Sequence, residues 1–204
     1  MVAAWRCAAT RAARWPLVSL ALAMTVVALA SWTGSVDTLA LERGATARLE
    51  LWRVLSCHFV HWSWAHASWD LLAFVVLAAI CESVDRRRFL LCLGSAAVAI
   101  AAVVTAARPQ LAAYAGLSGL DMALFGLTVG QLFRARFAGS GWAGRTVLVL
   151  AAIGLVGKLA YELASGASLI FAEASAGFVP VPEAHLVGAL VGLGWSFSFP
   201  HFPC

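Results

Sequence analysis

Charge is what this chain has least of. Charged residues make up 12% of its 204 positions and hydrophobic ones 62%, too small a polar supply to coat a water-soluble globule of that size, so the chain reads as a membrane protein. It has no block of like charge either. The net charge of +4 comes from arginines scattered at the ends of apolar runs, which excludes a nucleic-acid-binding face and fits topology signals. Nor does it have a paired cysteine motif: Cys7, Cys57, Cys81, Cys92 and Cys204 form no CxxC and mostly lie in or beside apolar segments, which argues against a disulfide framework, and no cofactor or metal is implied. Low-complexity segments and internal repeats are absent as well.

What is present is a succession of apolar runs between polar or Gly/Pro breaks. They predict helices near 15–33, 65–81, 89–107, 118–133, 146–164 and 185–200, and at about 20 residues per crossing the length accommodates about six helices with short loops. The expectation is an all-α membrane protein, a six-transmembrane-helix bundle over 15–200, with a short N-terminal tail at 1–14, a short C-terminal end at 201–204 and no separate soluble domain. Arg6, Arg11 and Arg14 before an apolar stretch ending in Ala28-Leu29-Ala30 mimic a secretory signal, but five further apolar segments favour a retained first helix. Nine arginines (6, 11, 14, 86, 87, 88, 134, 136 and 145) fall on one side of this arrangement. The positive-inside bias then makes both ends cytoplasmic and runs helices 2, 4 and 6 from outside to inside.

Two loops stand out. Residues 34–64 are amphipathic, with Trp52, Trp62 and Trp64 suited to the headgroup zone of the outer leaflet. Residues 165–184 carry Leu169, Ile170, Phe171 and Phe178 in a Gly/Ser/Pro frame, a pattern that suits either a lid dipping toward a cavity or simple loop packing.

Polar groups inside the membrane are costly, about 2.5–3.5 kcal/mol per charge on the mildest scale, so each asks for a reason. The candidates are His66, Asp70, Ser118, Asp121, Lys158, Glu162 and His185. His66 to Cys81, Ser118 to Phe133 and His185 to Pro200 are sixteen residues each, about 24 Å of helix, so His66, Ser118 and His185 share a depth just below the outer surface. A serine needs a base to become a nucleophile, and a neutral imidazole is the side chain suited to that near neutral pH. The amides around Ser118 at a helix N-terminus can face an oxyanion, and Gly116 and Gly119 allow a chain to approach them. Read blandly, Ser118 is a helix cap, His185 an interfacial histidine, and Asp121 a complement to the helix N-terminus. Lys158 and Glu162, four apart, read as an intramembrane ion pair or as snorkelling, without a catalytic role. His58, His61 and His66 are spaced poorly for a metal site.

At these residues the chain resembles the rhomboid family of intramembrane serine proteases. Gly116-Leu117-Ser118-Gly119 is similar to the family's GxSG, Ala184-His185 through Gly188 and Gly192 to its AHxxGxxxG, and Trp52-Arg53 to the tryptophan-arginine pair of its first loop. The stretch from His61 through His66 to Asp70 and Glu82 resembles its second helix. The resemblance runs from about Leu51 to Trp195 and implies Ser118 as nucleophile, His185 as base and then acid, and His66, Asp70 and Ser118 around the oxyanion, a dyad with no third member. Gly188 and Gly192, with Gly126 and Gly130, form small-xxx-small patterns that bring helices 4 and 6 together. Two positions depart from the family pattern. Asp70 stands where asparagine is usual, and either is held protonated and donates or pairs with His66 and orients it; Met122 stands where an aromatic usually packs on the catalytic histidine. The aspartate variant is most similar to rhombosortases, the bacterial subfamily thought to cut secreted proteins at a C-terminal Gly-Gly before an anchor helix. That resemblance implies membrane-anchored substrates in the lipid bilayer, a bacterial inner-membrane location and a site facing the periplasm. The rival readings are a catalytically inactive rhomboid-like protein that binds client transmembrane segments, and a small transporter.

Overall fold

The computed structural model describes residues 15–136, 142–167 and 179–198. The tail at 1–14 with its arginines, the apolar loop residues 169–171 and 178, and the end at 201–204 lie outside the described residues.

The chain is mostly helical. Helix α1 (Leu17–Ala30) is apolar along its length and begins after Pro16. Its first turn has amides with no intrahelical partner, and Glu82 supplies one: its carboxylate accepts Val18 N–H at 3.2 Å, Ser19 N–H at 2.7 Å and the Ser19 hydroxyl at 2.6 Å. A carboxylate there also complements the helix dipole. This one side chain ties α1 to the bundle at a place the apolar pattern leaves undefined.

The amphipathic loop that follows holds α2 (Ser35–Leu39), the short strand β1 (Leu41–Glu42), α3 (Arg53–Ser56) and a single 3-10 turn at Cys57–Phe59. β1 pairs antiparallel with β2 (Ala113–Tyr114), Leu41 opposite Tyr114 and Glu42 opposite Ala113, a two-residue ladder that departs from the all-α expectation. Arg53 is buried and fastens the loop to itself. Its Nη1 donates to the carbonyls of Asp37 at 3.0 Å and Ala40 at 2.7 Å, and its Nε lies 2.6 Å from Glu50. Trp52 and Trp64 stay more than half exposed on the outside of the loop, as residues of a headgroup zone would be.

Helix α4 (Trp64–Ala107) opens at Ser63, whose hydroxyl accepts His66 N–H at 3.2 Å. The two helices expected on either side of the arginine run are both present as arms of this span and follow one another without a loop, parted where Asp85 takes the non-helical φ −156° and ψ 96°. The Asp85 carboxylate accepts Arg88 N–H at 3.0 Å and so restarts the helix without an intervening loop. The two arms run antiparallel. Cys81 and Cys92, on opposite sides of the bend, reach the neighbouring carbonyls of Leu124 and Ala123, while Asp70 and Ile100, farther out on each arm, approach Gly116 and Gly119.

Helix α5 (Ser118–Arg136) is the centre of the bundle, packed against both arms of α4 and against α7 (Pro182–Phe197); α6 (Trp142–Ser165) touches α5 and α7 more lightly. Phe74, Phe89, Ile100, Leu117, Leu124 and Leu127 are fully buried around it. Leu72, Val76, Val147, Leu150, Ile153 and Val156 point outward and are exposed, an apolar exterior that suits lipid and not water. Among the described helices, Trp64–Ala107 and Arg145–Ser165 are long and apolar enough to cross a bilayer, and Leu17–Ala30 is apolar but shorter. Asp85 divides α4's 44 residues into two arms, each about 30 Å long at 1.5 Å per residue and so comparable to a hydrocarbon core of roughly 30 Å, which makes each arm alone of crossing length.

Candidate active site

The site begins with the contact between α5 and α7. A methyl group at Gly188 would collide with the Gly119 carbonyl oxygen, one at Gly192 with the Ala123 carbonyl oxygen, and one at Gly130 with Ser196. With hydrogens in those places the two backbones touch, which is the close approach that small residues permit. Ser118 is the first residue of α5 and His185 lies in the first turn of α7, so the contact aligns the N-terminal ends of the two helices. His185 Nε2 lies 3.0 Å from Ser118 Oγ.

The far side of the imidazole is occupied too. His185 Nδ1 lies 2.7 Å from Glu162 Oε2 and 3.3 Å from Lys158 Nζ, and Lys158 Nζ is 2.7 Å from each Glu162 oxygen. The expected Lys158–Glu162 ion pair exists, but its carboxylate, 1% exposed, is turned onto His185. The dyad expectation had no place for Glu162. A usable signal lay in the depth argument: counting sixteen residues outward from Thr146, where helix 5 was expected to begin, ends at Tyr161, beside Glu162.

On the other side of Ser118 stands a cluster around Asp70. His61 Nε2 and His66 Nε2 each lie 3.2 Å from Asp70 Oδ2, and the Leu117 amide donates to His61 Nε2 at 3.3 Å. An Nε2 that accepts this amide leaves the proton of the His61–Asp70 contact on the carboxyl group; an Nε2 that carries the proton gives it to Asp70. In both cases the Asp70 side chain engages both rings, and His61, to which the sequence reading gave no role at the oxyanion, is part of the cluster. Gly116 has φ +136°, a conformation that L side chains avoid, and a Cβ there would sit 3.1 Å from His66 Cε1. His66 therefore lies directly against the turn that presents Ser118. The first intrahelical bonds of α5 are donated by Leu120 and Asp121 to the Leu117 carbonyl, at 2.8 and 3.1 Å, so the amides of Ser118 and Gly119 come before them in the turn.

The remaining expected residues are placed as follows. Met122 packs with Leu155, Leu159 and Ala189, filling space between α5, α6 and α7. Asp121 is buried, with Oδ1 lacking a hydrogen-bond partner among the described residues. His58 is fully buried, with Nε2 bonded to the Ala97 carbonyl at 3.1 Å. Ser118 and His185 sit between two cavities, one of about 360 Å³ lined by Trp62, Arg108 and Val181, and a larger one of about 590 Å³ lined by His66, Asp70, Met122 and Phe125. Ser118 and His185 are among the lining residues of both. The arrangement sets a serine hydroxyl against an imidazole nitrogen, with backbone amides and two further histidines on its other flank.

Compared with known proteins, residues 48–201 match the family model described as Rhomboid domain. No curated protein matches the chain.

Proposed function

The chain belongs to the rhomboid family, and from that premise we propose that it is an intramembrane serine endopeptidase in which Ser118 is the nucleophile and His185 the general base. The 3.0 Å approach of His185 Nε2 to Ser118 Oγ carries this reading, because a serine next to an imidazole acceptor is the pairing that activates the hydroxyl. In the reaction Oγ attacks the scissile carbonyl and its proton passes to Nε2. The carbonyl electron pair moves to oxygen, which faces the amides at the start of α5 and the His66 side. His185 then protonates the departing amine as the C–N bond breaks, and water or another nucleophile releases the acyl group from Ser118.

With α1, the two arms of α4, α5, α6 and α7 as six crossings, the positive-inside pattern puts both ends in the cytoplasm and the site near the outer face, on the periplasmic side of a bacterial inner membrane. The apolar exterior of α4 and α6 supports lipid surroundings. The substrates are membrane-anchored proteins cut in or beside a transmembrane segment, and the rhombosortase-like residues favour C-terminal anchors that follow Gly-Gly. The outward cavity and the larger one beside α6 both open onto Ser118, as a site receiving a chain from the bilayer requires. A fluorophosphonate probe should label the purified protein and fail to label Ser118→Ala; equal labelling of both would place the reactive group elsewhere.

A further inference from the structure

We propose that Glu162, held in place by Lys158, is a positioning residue for His185, so that the site works as a Ser118–His185–Glu162 triad. This rests on the serine-protease reading above and adds to it a residue from a third helix.

The argument is one of proton placement. A carboxylate oxygen and an unprotonated ring nitrogen are both acceptors and repel at 2.7 Å, the distance between Glu162 Oε2 and His185 Nδ1. A proton must lie between them, and an imidazole that carries it on Nδ1 presents a lone pair at Nε2, the atom against Ser118 Oγ. The opposite tautomer needs a donor at Nδ1. Lys158 Nζ is the candidate, but it stands farther off, at 3.3 Å, and is committed to both Glu162 oxygens at 2.7 Å. The shorter contact decides for the carboxylate. Glu162 thus selects the tautomer in which His185 is a base, fixes the ring plane, and faces the imidazolium that forms when the Ser118 proton arrives at Nε2.

Lys158 answers the cost of placing that carboxylate in an apolar helix. Glu162 is 1% exposed, and a lone charge at that position would be expensive. The i, i+4 ammonium compensates it and leaves Oε2 aimed at Nδ1. Glu162 touches the base and not the reacting atoms, so its effect is expected in turnover and not in substrate binding.

The test uses the full-length enzyme in proteoliposomes with a cleavable membrane-anchored substrate. Glu162→Gln should lower kcat by about 10²–10⁴-fold, the usual contribution of a positioned general base and up to the loss of about 10⁴ for the equivalent change in a soluble triad, with KM within about twofold, and Glu162→Asp should recover part of the loss. Histidine ¹⁵N resonances of the Ser118→Ala protein should show His185 protonated on Nδ1, a signature that Glu162→Gln abolishes. Wild-type kcat in Glu162→Gln beside a dead Ser118→Ala overturns the triad and leaves the serine-protease reading standing, as does an Nε2-protonated His185. Cleavage by Ser118→Ala overturns both. Should Glu162→Gln fail to fold because Lys158 is left uncompensated, the Lys158→Met/Glu162→Gln double variant removes both charges and is read by the same kcat criterion.

Discussion

Gly192 of α7 lies against Ala123 of α5 so closely that a single added carbon would overlap the Ala123 carbonyl oxygen. Two residues further on, Gly194 has open space where its Cβ would be. The two glycines share a helix and differ only in which face they occupy, and the crowded face is the one that brings His185 to Ser118.

The first prediction follows from that contrast. Gly192→Ala should push α5 and α7 apart, with an overpacking cost of about 1–3 kcal/mol and a fall in activity of at least tenfold, since a misplacement near 1 Å costs about 10²-fold. Gly194→Ala should leave activity unchanged and the melting temperature equal or slightly higher, because alanine is the better helix former. Thermal unfolding in detergent and a cleavage assay on the two variants check this.

Asp70 offers a second. Its Oδ2 is shared by His61 and His66, and an amide oxygen can occupy the same place, so Asp70→Asn should keep activity within a few-fold. Asp70→Ala releases both rings beside the oxyanion and should lower kcat by on the order of 10²-fold, as the loss of one such donor does elsewhere. Steady-state kinetics decide it: an inactive Asp70→Asn would mean that the carboxyl group itself is required.

The third concerns pH and the loop. Burial pushes the His58 imidazole down from its ordinary value of 6.5 to about 4, so below pH 6.5 the unfolded chain takes up a proton that the folded one refuses. Stability is unaffected above pH 6.5, declines as pH falls toward about 4, and loses on the order of 3 kcal/mol across that window. In His58→Gln, whose amide can still donate to the Ala97 carbonyl, the contribution from this position should vanish. Melting temperatures from pH 7 to pH 4 for the two proteins should therefore diverge toward the acid end, with the wild type falling more steeply.

Much of the site was legible in the chain because depth in a bilayer is a one-dimensional coordinate. Counting along helices of known direction placed Ser118, His185 and His66 together, and the glycine spacing named the faces that meet. Glu162 was missed for a different reason. A Lys–Glu pair at i, i+4 satisfies itself, so the pattern raises no demand for a third partner, and only the orientation of α6 about its own axis turns the carboxylate onto His185. The contact of His61 with Asp70 escaped for another reason: His61 precedes Ser63, the cap of α4, and so lies outside the helical register that His66 and Asp70 share. The bend at Asp85 was also hidden, since a charged run of that length serves equally well as a loop or as a capped restart of a helix. The ladder between β1 and β2, two residues long, is too short to leave a periodic signal.

The central claim is that Ser118 and His185 perform the chemistry, and the most direct test is cleavage of a membrane-anchored substrate by the wild type, Ser118→Ala and His185→Ala, each reconstituted in proteoliposomes. The account predicts cleavage by the wild type and none above background by either variant, with all three melting at similar temperatures. Wild-type rates in both variants would contradict it.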